Sequence, residues 1–195
     1  MKKLRKINHR IYNLSDFDDY SNTSNSFLKF LQDNINQFTT SSNPSITSYL
    51  QNKALLLNQQ NSLRTYFIVD TDTLEIIGYF CLKIVNIKFE INVSRGIKKR
   101  ISSDAYKNNE FPSLLITKLG RNDKYKNLVF GKTILDYAIS IGLEVFKKTA
   151  LRHICVDWYE QEKLKRFYCE ECGFKIFQYK YTDKGKLVSG FYKLN

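Results

Sequence analysis

The sequence lacks any long hydrophobic run. Its longest apolar stretch, Ile76 to Leu82, is far shorter than the roughly 20 residues a membrane-spanning helix needs. No apolar segment follows the basic opening MKKLRKINHR, so a secretory signal is not expected. Cysteine is sparse: four residues scattered through a chain of 195 do not make a disulfide framework, and a reducing cytoplasm is the expected compartment. Cys169 and Cys172 form a single CxxC, with no second CxxC and no histidine pair to complete it, so no metal site is expected. Asn and Ser are frequent before Arg64, but there is no internal repeat and no clear second domain, which leaves one domain spanning residues 1–195 as the simplest organisation.

What is present is a core and an excess of positive charge. Hydrophobic residues make up 43% and aromatics 14% of the chain, enough for a packed interior rather than disorder. Thirty-one Lys and Arg stand against 19 Asp and Glu, a net charge of +12, which favours polyanionic partners through steering and counterion release. The competing reading is a lysine-rich surface that is merely solvated. The basic clusters at Lys2–Lys6, Arg95–Arg100, Lys118–Lys126 and Lys163–Arg166 are spread along the chain, as a broad nucleic-acid-facing surface would require.

Periodicity predicts an α+β order. Lys3–Asn13 reads as a strand, and Ser26–Phe38 as an amphipathic helix with Phe27, Phe30, Leu31, Ile35 and Phe38 on one stripe. Pro44 opens a second helix through about Leu57. Thr65–Val69 and Ile76–Ile84 read as a hairpin, and Ile87–Val93 as a strand extension. Arg95–Asn109 is a polar, basic insertion. Ser113–Leu119 is apolar enough for a central strand covered on both faces. The helix after it carries Phe130, Ile134, Ala138, Ile141 and Val145 on one face. Arg152–Val156 is a strand, Glu160–Glu171 a helix stopped by Gly173, and Phe174–Tyr181 with Lys186–Leu194 a closing hairpin.

Two segments carry the chemistry. Leu114 to Ala138, LLITKLGRNDKYKNLVFGKTILDYA, is a strand leading through a basic turn into a helix that opens at Gly131. Backbone amides and lysines delivered to a helix N-terminus suit phosphate oxygens, because the orphan donors and the helix dipole both favour negative charge. Downstream lies RFYCEECGF, Arg166 to Phe174, whose Tyr168 by itself reads as a buried aromatic on an amphipathic helix, beside Phe167 and Leu164.

In this order and spacing the two segments resemble the acyl-CoA-binding core of the GNAT N-acetyltransferases. The resemblance implies an α+β fold with a mixed, mostly antiparallel sheet that is splayed at the cofactor site and flanked by helices. In that family a Q/R-x-x-G-x-G/A loop holds the pyrophosphate of acetyl-CoA, and the matching window here is Lys126, Asn127, Leu128, Val129, Phe130 and Gly131, followed by Lys132. Lys126 stands in place of Gln or Arg, and Val129 in place of the middle Gly. The resemblance gives the backbone of Leu119, Gly120 and Arg121 to the pantetheine arm and places Gln161 where an Asn is common. It makes Tyr168 the acid that protonates the leaving thiolate, a role suited to a phenol whose pKa near 10 lies within about two units of a thiol's.

No carboxylate occurs in Ser113–Leu119, so an amine that is already substantially neutral near pH 7 is the better acceptor. Glu110, Asp157 and Glu160 remain candidates to act through a water. The FLKFLQ helix, the IIGYFCLK strand and PSLLITKLGRN resemble the toxin-like branch of the family, which implies as acceptor the α-amino group of aminoacyl-tRNA, with a homodimer and a cognate antitoxin as further expected partners. A small-amine or peptide acetyltransferase, and a non-catalytic RNA-binding module on the same fold, are the alternatives. The identity of the acceptor is left open by the sequence.

Overall fold

The computed structural model describes residues 7–16 and 25–195, the latter without the side chains of 25–28. The proposed strand residues 3–6, the cluster Lys2–Lys6 and the side chain of Phe27 lie outside the described residues. Strands β1 (His9–Asn13), β2 (Arg64–Asp70), β3 (Ile76–Lys88), β4 (Glu110–Arg121), β5 (His153–Tyr159), β6 (Lys175–Thr182) and β7 (Gly185–Lys193) follow the order β1-β2-β3-β4-β5-β7-β6 in one sheet. The β1–β2, β2–β3, β5–β7 and β6–β7 ladders are antiparallel. The β4–β5 ladder is parallel and pairs only Leu114–Ile116 with Ile154–Val156, so residues 117–121 run on beyond it. With helices α1 (Asn25–Gln37), α2 (Pro44–Tyr49), α3 (Leu55–Gln59), α4 (Arg95–Ile101), α5 (Ser103–Asn108), α6 (Gly131–Thr149) and α7 (Glu162–Lys165), this is the α+β architecture expected.

The chain clusters into two compact units, and β3, β4 and α6 run through both. The first comprises Met1–Leu82 and Lys118–Tyr137. Its core joins Leu14, Ile35, Phe38, Leu50, Ala54, Phe67 and Tyr79. Asn43 caps α2 by accepting from the Ser45 amide, with Pro44 at the first helical position, where its missing N–H costs nothing. Between α2 and α3 the helix widens into a π turn over Leu50–Ala54, which puts Leu50 and Ala54 inward. Gly120 is required by packing: a Cβ there would lie 2.5 Å from Ile46 Cγ2 and 3.0 Å from Tyr79 Cε1.

The second unit comprises Lys83–Thr117 and Ala138–Asn195, with a core of Phe89, Val93, Ile101, Phe111, Phe177 and Phe191. The basic insertion forms two short helices. Ser94 caps α4 through the Ile97 amide and Ser102 caps α5 through the Ala105 amide, while Ile97 and Ile101 face the core. The structure corrects three expectations. β3 ends at Lys88, not Val93, because Phe89 turns inward and its amide bonds to the Asn109 carbonyl at 3.1 Å. Phe130 precedes α6 and is 80% exposed, so the buried stripe is Ile134, Leu135 and Ala138 without it. The helix before Gly173 is regular only over Glu162–Lys165, then widens into a π turn over Arg166–Glu171. Gly173 ends it in the left-handed region, φ +77°, where glycine carries no Cβ penalty.

Candidate functional site

The first unit carries the phosphate-loop candidates. After β4, Asn122 is buried, donating its amide N–H to the Ile77 carbonyl at 2.8 Å and its side-chain N–H to the Ile76 carbonyl at 3.0 Å. Asp123 donates its N–H to the Thr39 carbonyl and accepts from the Ser41 amide at 2.6 Å, the bond that does most to hold its carboxyl below the usual range. Residues Asp123–Tyr125 form a 3-10 turn. Tyr125, 3% exposed, lies under the loop with its hydroxyl 2.9 Å from Glu75 Oε2, 3.1 Å from Asp70 Oδ2 and 3.2 Å from Thr73 Oγ1. Burial pushes this phenol well above its ordinary pKa. Glu75 is held low, chiefly by its hydrogen bond with Lys124. Burial alone would raise the Asp70 carboxyl, but bonds from the Asp72 amide, Tyr125 and Thr73 outweigh it.

Two more anchors complete the loop. Val129 is buried, 6% exposed, and the Arg121 guanidinium donates to its carbonyl at 2.8 Å. The valine that stands in place of a glycine therefore plugs the loop into the core. The loop's shape comes from buried side chains rather than from glycine freedom; Gly131 itself does not adopt a left-handed conformation. In this conformation the amides of Lys126, Leu128 and Val129 donate internally, to the carbonyls of Asp123 and Tyr125. The first turn of α6, opening at Gly131, is where a helix leaves amides without intrahelical acceptors. Leu128 and Phe130 project outward, 42% and 80% exposed, and Lys126 and Lys132 are exposed beside them. Leu119, Gly120 and Arg121 form the last stretch of β4, beyond its ladder with β5.

The second unit carries Tyr168 and Gln161. Tyr168 sits on the π turn, 7% exposed, its ring stacked on Trp158 at 4.8 Å and edge-on to Phe167 and Phe174 at 4.9 and 5.9 Å. A π turn rotates side chains away from their α-helical directions and is frequent at working sites. Burial, with Cys172 beside it, raises the Tyr168 phenol above its ordinary pKa, so it holds its proton at neutral pH. Trp158 fits because Gly190 leaves its place clear; a Cβ there would be 2.8 Å from the indole. Gln161 occupies the N-cap of α7 without a side-chain capping bond and is exposed. Among the described residues no cluster of three or more His, Cys, Asp or Glu is placed to hold a metal. No described helix is long and apolar enough to cross a membrane.

Sequence reading missed Tyr125 with Asp70 and Glu75, the side-chain role of Arg121, and Trp158 as the platform under Tyr168. Asp70 and Tyr125 are 55 positions apart, and no local spacing signals such a bond.

The strand order, the short parallel β4–β5 ladder, the turn after β4 and the following helix are those of the GNAT fold. Solved structures share it along nearly the whole chain. AtaT complexed with acetyl-methionyl-tRNAfMet matches with a TM-score of 0.66 at 16% identity, covering 95% of each chain. A tyrosine-to-phenylalanine mutant of KacT matches with a TM-score of 0.65 at 18% identity, covering 95% of this chain and 94% of that one. A tyrosine-to-phenylalanine mutant of the toxin AtaT, bound to acetyl-CoA and the C-terminus of the antitoxin AtaR, matches at 0.64 and 14% identity, covering 95% and 92%. No family model and no curated protein matches the chain.

Proposed function

We propose that this protein is an N-acetyltransferase that takes an acetyl group from acetyl-CoA and delivers it to a primary amine, the α-amino group of aminoacyl-tRNA. The observation that carries the reading is the side-chain-anchored turn at the end of β4, which delivers Gly131 and the flanking Lys126 and Lys132 to the start of α6, on a fold shared along 95% of the chain with AtaT. The donor set fits a pyrophosphate: Gly131 permits close backbone approach, and the lysines add charge. The family resemblance adds Gln161, at the start of α7, as an amide that would reach the cofactor. The backbone of Leu119, Gly120 and Arg121 would pair with the pantetheine arm as an added strand, and an N–H there would stabilise the oxyanion of the tetrahedral intermediate. The thioester supplies an activated acyl carbon. As the amine attacks it and the carbon–sulfur bond breaks, Tyr168 would give its proton to the leaving thiolate, and the proton lost by the amine nitrogen, carried by water, would restore the phenol.

AtaT is seen with an acetylated aminoacyl-tRNA, and the net charge of +12 and the absence of a carboxylate from Ser113–Leu119 favour the same class of acceptor. An antitoxin partner and a homodimer belong to the same proposal, with AtaT's antitoxin complex in support of the former. The test incubates labelled acetyl-CoA with a charged tRNA pool, an uncharged pool, and polyamines and peptides. Label on charged tRNA alone is the expected result. Label only on amines or peptides would overturn the acceptor while leaving the transferase. A second reading, a basic RNA-binding module without cofactor, is favoured by the internal bonding of the Lys126, Leu128 and Val129 amides and predicts no label transfer at all.

A further inference from the structure

The closing hairpin carries an aromatic track on the sheet face that bears Tyr168. In the β5–β7 and β6–β7 registers Trp158 lies opposite Val188, Val188 opposite Tyr179, and Lys186 opposite Tyr181. Residues directly opposite, and residues two apart on one strand, share a face. Trp158, Tyr179 and Tyr181 therefore lie along one face, and Tyr168 stacks on the Trp158 end. Burial falls along the track, from Trp158 at 5% exposed through Tyr179 at 39% to Tyr181 at 81%. Among the described residues Tyr181 is one of the most exposed aromatics, and it stands beside the hairpin turn.

Cations accompany the rings. The Lys186 ammonium lies 4.3 Å from the centre of the Tyr179 ring and 2.6 Å from Glu160 Oε1. Lys184 stands exposed in the turn next to it. The hairpin, residues 175–193, contains five Lys and one Asp. Exposed rings that can stack on any base, interleaved with lysines for the backbone, are the chemistry of single-strand recognition; duplexes hide the base faces that such rings need.

We infer that the β6–β7 hairpin binds an unpaired nucleotide strand, with Tyr181 and Tyr179 as stacking platforms that lead the strand toward Tyr168. This rests on the acetyltransferase reading for its purpose and assigns to this hairpin the single-stranded end of the acceptor.

The experiment measures binding of an end-labelled single-stranded oligoribonucleotide, and of the same sequence as a duplex, to the wild-type chain, Tyr181→Ala, the double variant Tyr179→Ala with Tyr181→Ala, and Tyr181→Trp. Single-strand affinity is expected to fall at least about fivefold in Tyr181→Ala and further in the double variant. Tyr181→Trp should retain affinity and lose tryptophan emission on binding, and duplex affinity should not change. Equal single-strand affinity across the variants, or equal losses for single strand and duplex, would overturn the proposal. Capture of a peptide on the hairpin, with no oligonucleotide bound, would also overturn it. Acetyl-CoA binding is titrated separately in the same variants; its absence in the wild type would remove the transferase reading while the oligonucleotide result stands.

Discussion

Tyr168 packs its ring between Trp158 and Phe174, so Tyr168→Phe keeps the packing and removes only the proton. Turnover is expected to fall roughly 10²- to 10⁴-fold with acetyl-CoA affinity retained; steady-state kinetics with titration of the cofactor checks both, and unchanged turnover would exclude the role. Because burial raises this phenol above its ordinary pKa, the rate should show no falling limb from it below about pH 10. Tyr125→Phe removes the hydroxyl that meets Asp70, Glu75 and Thr73. Leaving such groups unsatisfied costs about 1–3 kcal/mol, which denaturant unfolding would read, and acetyl-CoA affinity should fall with it as the loop loosens. His153 is 3% exposed and held neutral, its pKa lowered to about 4 by burial first and then by Lys193 and Arg152. The unfolded chain then binds the extra proton between about pH 6.5 and 4, so stability is full above that window and is lost as pH falls through it. His153→Gln should flatten this part of the melting-temperature profile. Tyr168 is singled out in the sequence only through the family resemblance of RFYCEECGF, whereas Tyr125 is not singled out at all, since its partners arrive from β2 and the turn after it.

The elements divide in the same way. Apart from α4 and α5, their order follows from apolar period and from local start signals such as Asn43 and Pro44 ahead of α2. The two π turns, at Leu50–Ala54 and Arg166–Glu171, leave no such mark, because one added residue per turn hardly disturbs an apolar stripe over so short a span. The basic insertion hides its helices because each is only one to two turns long, with much of its surface charged. At this scale Gly120→Ala is informative. The added Cβ would press on Ile46 and Tyr79, overpacking that typically costs about 1–3 kcal/mol, and a melting temperature equal to wild type would contradict the packing described. Lys98 and Lys99 of α4 already lie over Phe89 and Tyr106. Arg95 and Arg100 are therefore the cleaner charge reversals, and the pair should reduce the salt slope of tRNA binding by about two.

At the scale of the whole molecule, two properties stand out, the net charge and the fold. The net +12 is a long-range property that any polyanion would feel, and the fold is one shared with AtaT and KacT. The resemblance to the GNAT family proposes where a phosphate loop would lie, but not how a loop with Val129 in place of glycine keeps its shape, because its anchors, from the end of β2, the start of β3 and the loop before α2, belong to tertiary structure. The central claim is that this loop binds acetyl-CoA, and calorimetric titration of the wild-type chain and of Gly131→Val tests it most directly. Saturable 1:1 binding in the wild type, lost in a variant that melts at the same temperature without ligand, is the predicted result; at about 100 times the dissociation constant the cofactor should also add roughly 2.7 kcal/mol of stability to the wild type alone. No heat and no stabilisation in the wild type, or undiminished affinity in Gly131→Val, would contradict it.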